Sequence, residues 1–233
     1  MLCIRRIHSA APAVLAIVLL LYPPPCLNAQ SSPSGHGALH FLFAAGAQTA
    51  GQGDSKPVPV ETHSSLNSGD RIKFFLESKS DAYFYLFHLG PDSNLSLLYP
   101  SDLKKSQTQP GQPFYVPAGP MWFELDAARG TEKFFFLASK SRLGELENLY
   151  SRHAALKDRT EIQLSTQAIL DEVARLNKPR KPLASPAEKP VRIAGKFRAP
   201  SNADSAALPD ITPFAKEIRA KDFYGKTFTI DHR

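Results

Sequence analysis

A dense run of aromatic side chains with a spacing of two is the feature that most constrains how this chain folds. Of its 23 aromatic residues, 14 fall between Phe74 and Phe136. Successive side chains of a β-strand point to opposite faces, so apolar residues spaced by two line one face. The alternating sets are Ile72, Phe74 and Leu76, then Ala82, Phe84 and Leu86, then Leu95, Leu97 and Tyr99. This region therefore predicts a sheet with a large buried core.

Further strands are predicted on both sides of these sets. Residues 38–44 are the candidate first strand, and residues 114–116, 121–125 and 133–138 are three later ones. Residues 82–87 are apolar on both faces, which predicts a central strand that is covered on each side. Turn residues recur every ~8–12 positions, a pattern typical of all-β folds. We therefore predict an antiparallel β-sandwich or open barrel.

Two amphipathic helices are predicted after residue 141, because the apolar spacing changes from two to that of a helix. The second helix is predicted to open at Thr160, where Gln163 fits a capping box. Asp171, Glu172 and Arg175 are expected to face solvent. We expect the apolar faces to cover the outside of the sheet; they carry Leu143, Leu146, Leu149 and Tyr150, then Ile162, Ile169, Val173 and Leu176.

The first 29 residues have the three zones of a secretory signal peptide. Arg5 and Arg6 precede an apolar stretch over residues 11–22, and cleavage is predicted between Ala29 and Gln30. The stretch is shorter than the ~20 residues of a membrane-spanning helix, although an uncleaved anchor and a buried helix are alternatives. Cys3 and Cys26 both lie in this peptide, so the exported chain has no disulfide. We predict an extracytoplasmic location, either periplasmic or secreted.

The sequence is thus predicted to contain six segments. They are the signal peptide (1–29), a disordered leader (30–37), a β-sandwich domain (38–141), a helical cover (142–177), a Pro/Lys-rich linker (178–210) and a C-terminal strand segment (211–233). We expect the last segment to pair at the edge of the main sheet, because an isolated strand cannot satisfy its own backbone groups.

The positive charge is concentrated in one segment. The formal net charge is +6, and residues 178–198 alone contain seven basic residues against Glu188. The high isoelectric point therefore describes the linker and not the folded domain, so it does not indicate a nucleic-acid-binding protein. Contact of the linker with anionic lipid or cell-wall polymer is an alternative to a solvated spacer. No membrane span is expected after cleavage.

Five short motifs follow one another between residues 68 and 141. They are Ser-Gly-Asp-Arg-Ile (68–72), Asp-Ala-Tyr-Phe-Tyr-Leu-Phe (81–87), Leu-Leu-Tyr-Pro-Ser (97–101), Phe-Tyr-Val-Pro-Ala-Gly (114–119) and Glu-Lys-Phe-Phe-Phe-Leu-Ala-Ser (132–139). Their order resembles the bacterial family called domain of unknown function 4384. The resemblance implies a bacterial source and a β-rich accessory domain of envelope or signalling proteins. It implies no activity and supplies no catalytic residues.

Motifs for chemistry are weak in this sequence. Gly225-Lys226-Thr227 lacks the earlier glycine and the following helix of a phosphate-binding loop, and a strand explains it better. His36 and His40 have no third ligand nearby, and His63, His88, His153 and His232 are scattered. No Gly-x-Ser-x-Gly elbow occurs. The acidic pairs are expected on solvent-exposed helix faces or in the linker; they are Glu145 and Glu147, Asp171 and Glu172, and Asp204 and Asp210. We predict no catalytic residue, no metal site and no cofactor, and no binding residue is assigned.

The remaining features favour a non-enzymatic interaction module of the bacterial cell envelope that binds another envelope protein, with strand addition as a plausible mode. One alternative is a carbohydrate- or peptidoglycan-binding domain that uses an exposed stripe of Tyr83, Tyr85 and Phe87, or Trp122 at a rim. We expect that stripe to be core instead. A second alternative is a hydrolase of unrecognised type, which needs a cleft with converging titratable groups.

Overall fold

The computed structural model describes residues 38–51, 56–178, 187–190 and 210–233. These ranges contain thirteen strands and two α-helices. The strands are β1 (Leu39–Gln48), β2 (Val58–Pro59), β3 (Ser64–Leu66), β4 (Arg71–Ser78), β5 (Ala82–Leu89), β6 (Leu95–Tyr99), β7 (Gln107–Thr108), β8 (Pro113–Val116), β9 (Phe123–Glu124), β10 (Gly130–Ser139), β11 (Ala187–Pro190), β12 (Lys216–Ala220) and β13 (Phe223–His232). The helices are α1 (Gly144–His153) and α2 (Arg159–Asn177).

Two sheets face each other across an aromatic core. One has the order β11-β12-β1-β4-β8, and the other has the order β3-β13-β10-β5-β6. Rings from both sheets meet between them, and the centroids of Phe43 and Phe136 are 4.2 Å apart. Burial of such rings gives ~1.5–3 kcal/mol each. The predicted β-sandwich is confirmed, because neither sheet closes into a barrel.

The predicted central strand is also confirmed. β5 lies between β10 and β6 and is covered on both faces. Phe84 and Leu86 point into the core between the sheets, whereas Tyr85 and Phe87 point outward under α1 and α2. The two helices therefore cover the outer face of this sheet, as the helical spacing predicted.

The start of α2 differs from the prediction. The N-cap residue is Asp158, whose carboxylate accepts hydrogen bonds from the backbone N–H groups of Thr160 and Glu161. A carboxylate two positions earlier satisfies the free donors of the first turn, so the hydroxyl of Thr160 is not used as the cap. The predicted exposure of Glu172 was also wrong. This residue is buried and its Oε2 lies 2.6 Å from Arg175 Nε.

The C-terminal segment contributes to both sheets. β12 pairs antiparallel with β1, and β13 pairs with β10 over ten residue pairs. The predicted edge position is not observed for β13, because the short strand β3 pairs in parallel on its other side. The backbone groups of β13 are thereby satisfied on both sides at its C-terminal end.

A turn of 3₁₀ helix, Thr212–Phe214, places Ile211 and Ala215 against the outer face of the sheet that contains β1 and β4. Gly46 of β1 makes this approach possible. A Cβ atom at residue 46 would lie 2.5 Å from Cγ2 of Ile211. The segment after the predicted linker is therefore held on β1 by close packing.

Several predicted features lie outside the described residues. They include the signal peptide with Ala29 and Gln30, the leader and most of the linker. Residues 187–190 of the predicted linker are described and form β11, which pairs with β12. The domain boundaries as a whole remain predictions. Among the described helices, none is both long and apolar enough to cross a membrane.

Candidate functional site

The aromatic stripe of β5 is largely core. Tyr85 and Phe87 are buried, and Tyr83 is half-buried. The ring of Phe87 meets that of Tyr150 on α1 with centroids 5.5 Å apart. Stacking on a sugar needs an exposed ring face, so Tyr85 and Phe87 offer no platform for a carbohydrate.

Glu147 was expected on the solvent face of α1, and this expectation was wrong. Its carboxylate is buried and accepts a hydrogen bond of 2.5 Å from the Tyr85 hydroxyl. Arg142 forms an ion pair with it, and Ser106 Oγ lies 3.3 Å away. Burial acts to raise the pKa of Glu147, but the hydrogen bonds from Arg142 and Tyr85 outweigh burial and lower it. Burial, followed by the bond to Glu147, raises the pKa of Tyr85. This network fastens α1 to β5.

A second buried network has the bonding order of a catalytic triad. Ser68 Oγ lies 3.1 Å from Nε2 of His232, and Nδ1 of His232 lies 3.2 Å from Oε1 of Glu132. His88 Nε2 contacts the other carboxylate oxygen of Glu132 at 2.6 Å. Folding thus unites residues from β5, β10, β13 and the turn before β4, which sequence spacing did not predict.

The two backbone N–H groups nearest the Ser68 hydroxyl in sequence already have acceptors. An oxyanion hole needs free N–H groups aimed at the developing negative charge. The N–H of Ser68 donates to the carbonyl of Arg233, and that of Gly69 donates to the carbonyl of Leu125 at 2.7 Å. The carboxylate of Asp70 accepts from Ala50 and Asn67, both at 2.8 Å. These bonds join the turn before β4 to Arg233, which follows β13, and to Leu125.

Lys73 of β4 is fully buried, at 0% exposure. Its Nζ donates to the carbonyls of Gly119 and Met121 at 2.5 and 2.6 Å. It also lies 5.3 Å from the ring centroid of Tyr115 and 5.6 Å from that of Trp122. Among the described residues, no carboxylate forms an ion pair with it, and burial lowers the pKa of Lys73 to about 8.

Lys73 organises the loop of residues 117–122, which we call the lysine loop. The predicted strand over residues 121–125 is reduced to Phe123–Glu124, because the Gly119 and Met121 carbonyls turn toward Nζ. Gly119 has a φ of 66°, which favours glycine. Met121 is 62% exposed and Trp122 is half-buried. Sequence analysis missed this site, although Phe75 beside Lys73 on the same strand face indicated that the face is covered.

The other sequence candidates that the structure describes do not assemble into a site. Gly225, Lys226 and Thr227 lie within β13, as the strand prediction required. His40 contacts Glu217 at 2.7 Å on the neighbouring strand. Within the described ranges, no cluster of three or more His, Cys, Asp or Glu side chains is arranged to hold a metal ion. His36 and Asp204 lie outside those ranges.

Comparison with known families bears on the part of the chain that contains the lysine loop. Residues 65–142 match the family described as Domain of unknown function (DUF4384). The predicted resemblance is confirmed. The comparisons with curated proteins and with solved structures gave no match.

The DUF4384 match runs from β3 to the end of β10 and so includes Lys73 and the whole lysine loop. It does not include β1 and β13, which are the sheet neighbours of β4 and β10, or β12, which pairs with β1. In this protein, the sandwich is therefore completed by segments on both sides of the matched region.

Proposed function

We propose that the protein is an exported, non-enzymatic interaction module of the bacterial cell envelope that binds another envelope protein. The predicted signal peptide supports export to the periplasm or beyond. The DUF4384 resemblance supports a β-rich accessory role. The observation that supports the proposal most is the lysine loop, which presents Met121 and Trp122 on a backbone held by Lys73.

Fixing this loop before binding favours association. Ordering a loop on association costs free energy, and a loop ordered in advance avoids much of that cost. Lys73 supplies the order through two hydrogen bonds to the loop backbone. Met and Trp are enriched in protein interfaces, where they fill pockets of the partner. The lysine loop therefore suits a protein partner with a complementary apolar pocket.

At the edge strands β8 and β6, a partner is better bound through side-chain contacts than by strand addition. Strand addition needs a row of free backbone donors. β8 begins at Pro113 and is followed by Pro117, and proline has no N–H. On β6, the N–H of Leu97 donates to the Tyr150 hydroxyl at 3.0 Å. Each of these two edges thus has fewer free donors than an edge strand without such features.

Affinity capture from envelope extract tests the proposal with a matched pair of variants. Met121→Glu places a charge on the lysine loop, and Leu164→Glu places one at a distant residue of α2 that is 69% exposed. We expect the captured partner to be lost with Met121→Glu and retained with Leu164→Glu. Capture of a protein whose binding is equally unaffected by both changes would exclude the loop as the interface.

The non-enzymatic part is tested separately at Ser68. Hydrolysis of an activated ester should proceed at the same rate with the wild-type protein and with Ser68→Ala. A saturable wild-type rate that disappears in Ser68→Ala would establish an acyl-transfer site and overturn the proposal.

A further inference from the structure

A groove of about 540 Å³ lies between the C-terminal half of α2 and the outer face of the sheet containing β10. Its volume is within the range of small-molecule sites, ~300–1,000 Å³. The floor is formed by cross-strand neighbours, Leu89 opposite Lys133 and Phe135 opposite Thr227. The helix supplies Leu170, Val173 and Ala174 as the wall. The groove is therefore an apolar trough with a hydrophobic floor and side.

The charged side chains that line this groove are both basic. Its polar lining consists of Lys133, Asn177, Lys178 and Thr227, and none of the described residues places a carboxylate there. Within the described ranges, neither lysine forms an ion pair. The strand neighbours of Lys133 are Leu89 and Thr229, which are both uncharged. A ligand with an apolar body and a single anionic group would match both features of the trough.

We propose that this groove binds a single-chain amphiphile with a carboxylate head, which is the chemistry of a fatty acid. The chain lies along the half-buried Leu89 and Leu170, with Phe135 and Val173 buried beneath it. The carboxylate pairs with Lys133. The last turn of α2 carries a partial negative charge. An anion is therefore better placed at Lys133 on the strand than at Lys178 on the helix end. This site is separate from the lysine loop and does not depend on the proposed interaction function.

Titration of the full chain with dodecanoate, below its micelle concentration, tests the proposal by calorimetry. Ala174→Trp fills the groove from an exposed helix position, and Ala168→Trp adds the same ring elsewhere on α2. We expect saturable binding of one dodecanoate per chain, weakened at least ~10-fold by Ala174→Trp and unchanged by Ala168→Trp. Circular dichroism of each variant confirms that it is folded.

The proposed pairing of the carboxylate with Lys133 is tested by a second pair of variants. Lys133→Met should weaken dodecanoate by ~5-fold and leave dodecanol unchanged, because only the former gains from the ammonium group. Lys157→Met, at an exposed lysine before α2, is the control and should change neither. Equal binding of dodecanoate and dodecylamine would overturn the proposed charge preference. Absence of saturable binding, dodecanoate binding unaffected by Ala174→Trp, or binding of acidic peptides alone would overturn the site.

Discussion

Lys73 makes the most demanding prediction, because its buried ammonium has hydrogen-bond partners and no counter-charge. Burial lowers its pKa from 10.5 to about 8. Below that pKa the folded protein holds a desolvated charge, whereas the unfolded chain holds the same charge in water. Between the two pKa values, the unfolded chain binds more protons than the folded protein. The free energy of unfolding should therefore rise as the pH is raised through this window.

The size of the effect follows from the pKa difference. One pKa unit corresponds to about 1.4 kcal/mol, so the full difference is worth ~3 kcal/mol. Between pH 7 and about pH 9.5, deprotonation of Lys73 in the folded protein raises the free energy of unfolding by ~2 kcal/mol of this total. Met121 of the lysine loop is 62% exposed, so the site lies near the surface, and screening should reduce the gain to ~1 kcal/mol.

The perturbation is Lys73→Met, which keeps an unbranched apolar stem and removes the charge. Urea unfolding of both proteins at pH 7 and about pH 9.5 gives the two differences in free energy. We expect the wild-type protein to gain ~1 kcal/mol over Lys73→Met across this interval. Lys105→Met, at an exposed lysine, should follow the wild-type pH dependence. The claim that Nζ is desolvated would be refuted if the free energy of unfolding of the wild-type protein, relative to that of Lys73→Met, stayed constant or fell with rising pH.

Two further predictions concern the packing around the sandwich. Glu147→Gln should lower the free energy of unfolding at neutral pH by ~1–3 kcal/mol. Because the folded pKa of Glu147 lies below 4.5, the wild-type advantage should shrink as the pH falls below that value, and a gap that persists in acid would contradict the ion-pair assignment. Gly46→Ala should cost ~1–3 kcal/mol in urea unfolding, because the new methyl group meets Ile211. Gly144→Ala meets no atom within 4 Å and should cost nothing; an equally stable Gly46→Ala protein would show that Ile211 does not pack closely there.

Local spacing was sufficient to predict the main architecture. The alternation in residues 72–76 and 82–86 predicted β4 and β5, because side-chain direction in a strand depends only on position parity. The apolar character of both faces of β5 predicted a cover on each side, and the helical spacing after residue 141 supplied that cover. These inferences needed no knowledge of which strands pair.

The DUF4384 resemblance was equally accessible from sequence, because it depends on the order of short motifs. The Gly69-Asp70 motif now has a physical explanation. Gly69 adopts a φ of 87° in the turn, and the Asp70 carboxylate accepts two backbone N–H groups. The Pro-Ala-Gly motif supplies Gly119, whose carbonyl accepts a hydrogen bond from Lys73.

The charged sites were decided by the tertiary structure alone. Glu147 belongs to a buried network because Tyr85 and Arg142, distant from each other in sequence, supply its partners. Lys73 is buried because a loop more than forty residues later folds over it. The partners of Glu132 likewise come from His88 and His232, on strands far apart in the chain. The sequence by itself determined which faces are apolar, since that is a property of neighbouring residues. Whether a charged side chain is buried or exposed depends on partners brought together only by long-range pairing, and no local pattern records them.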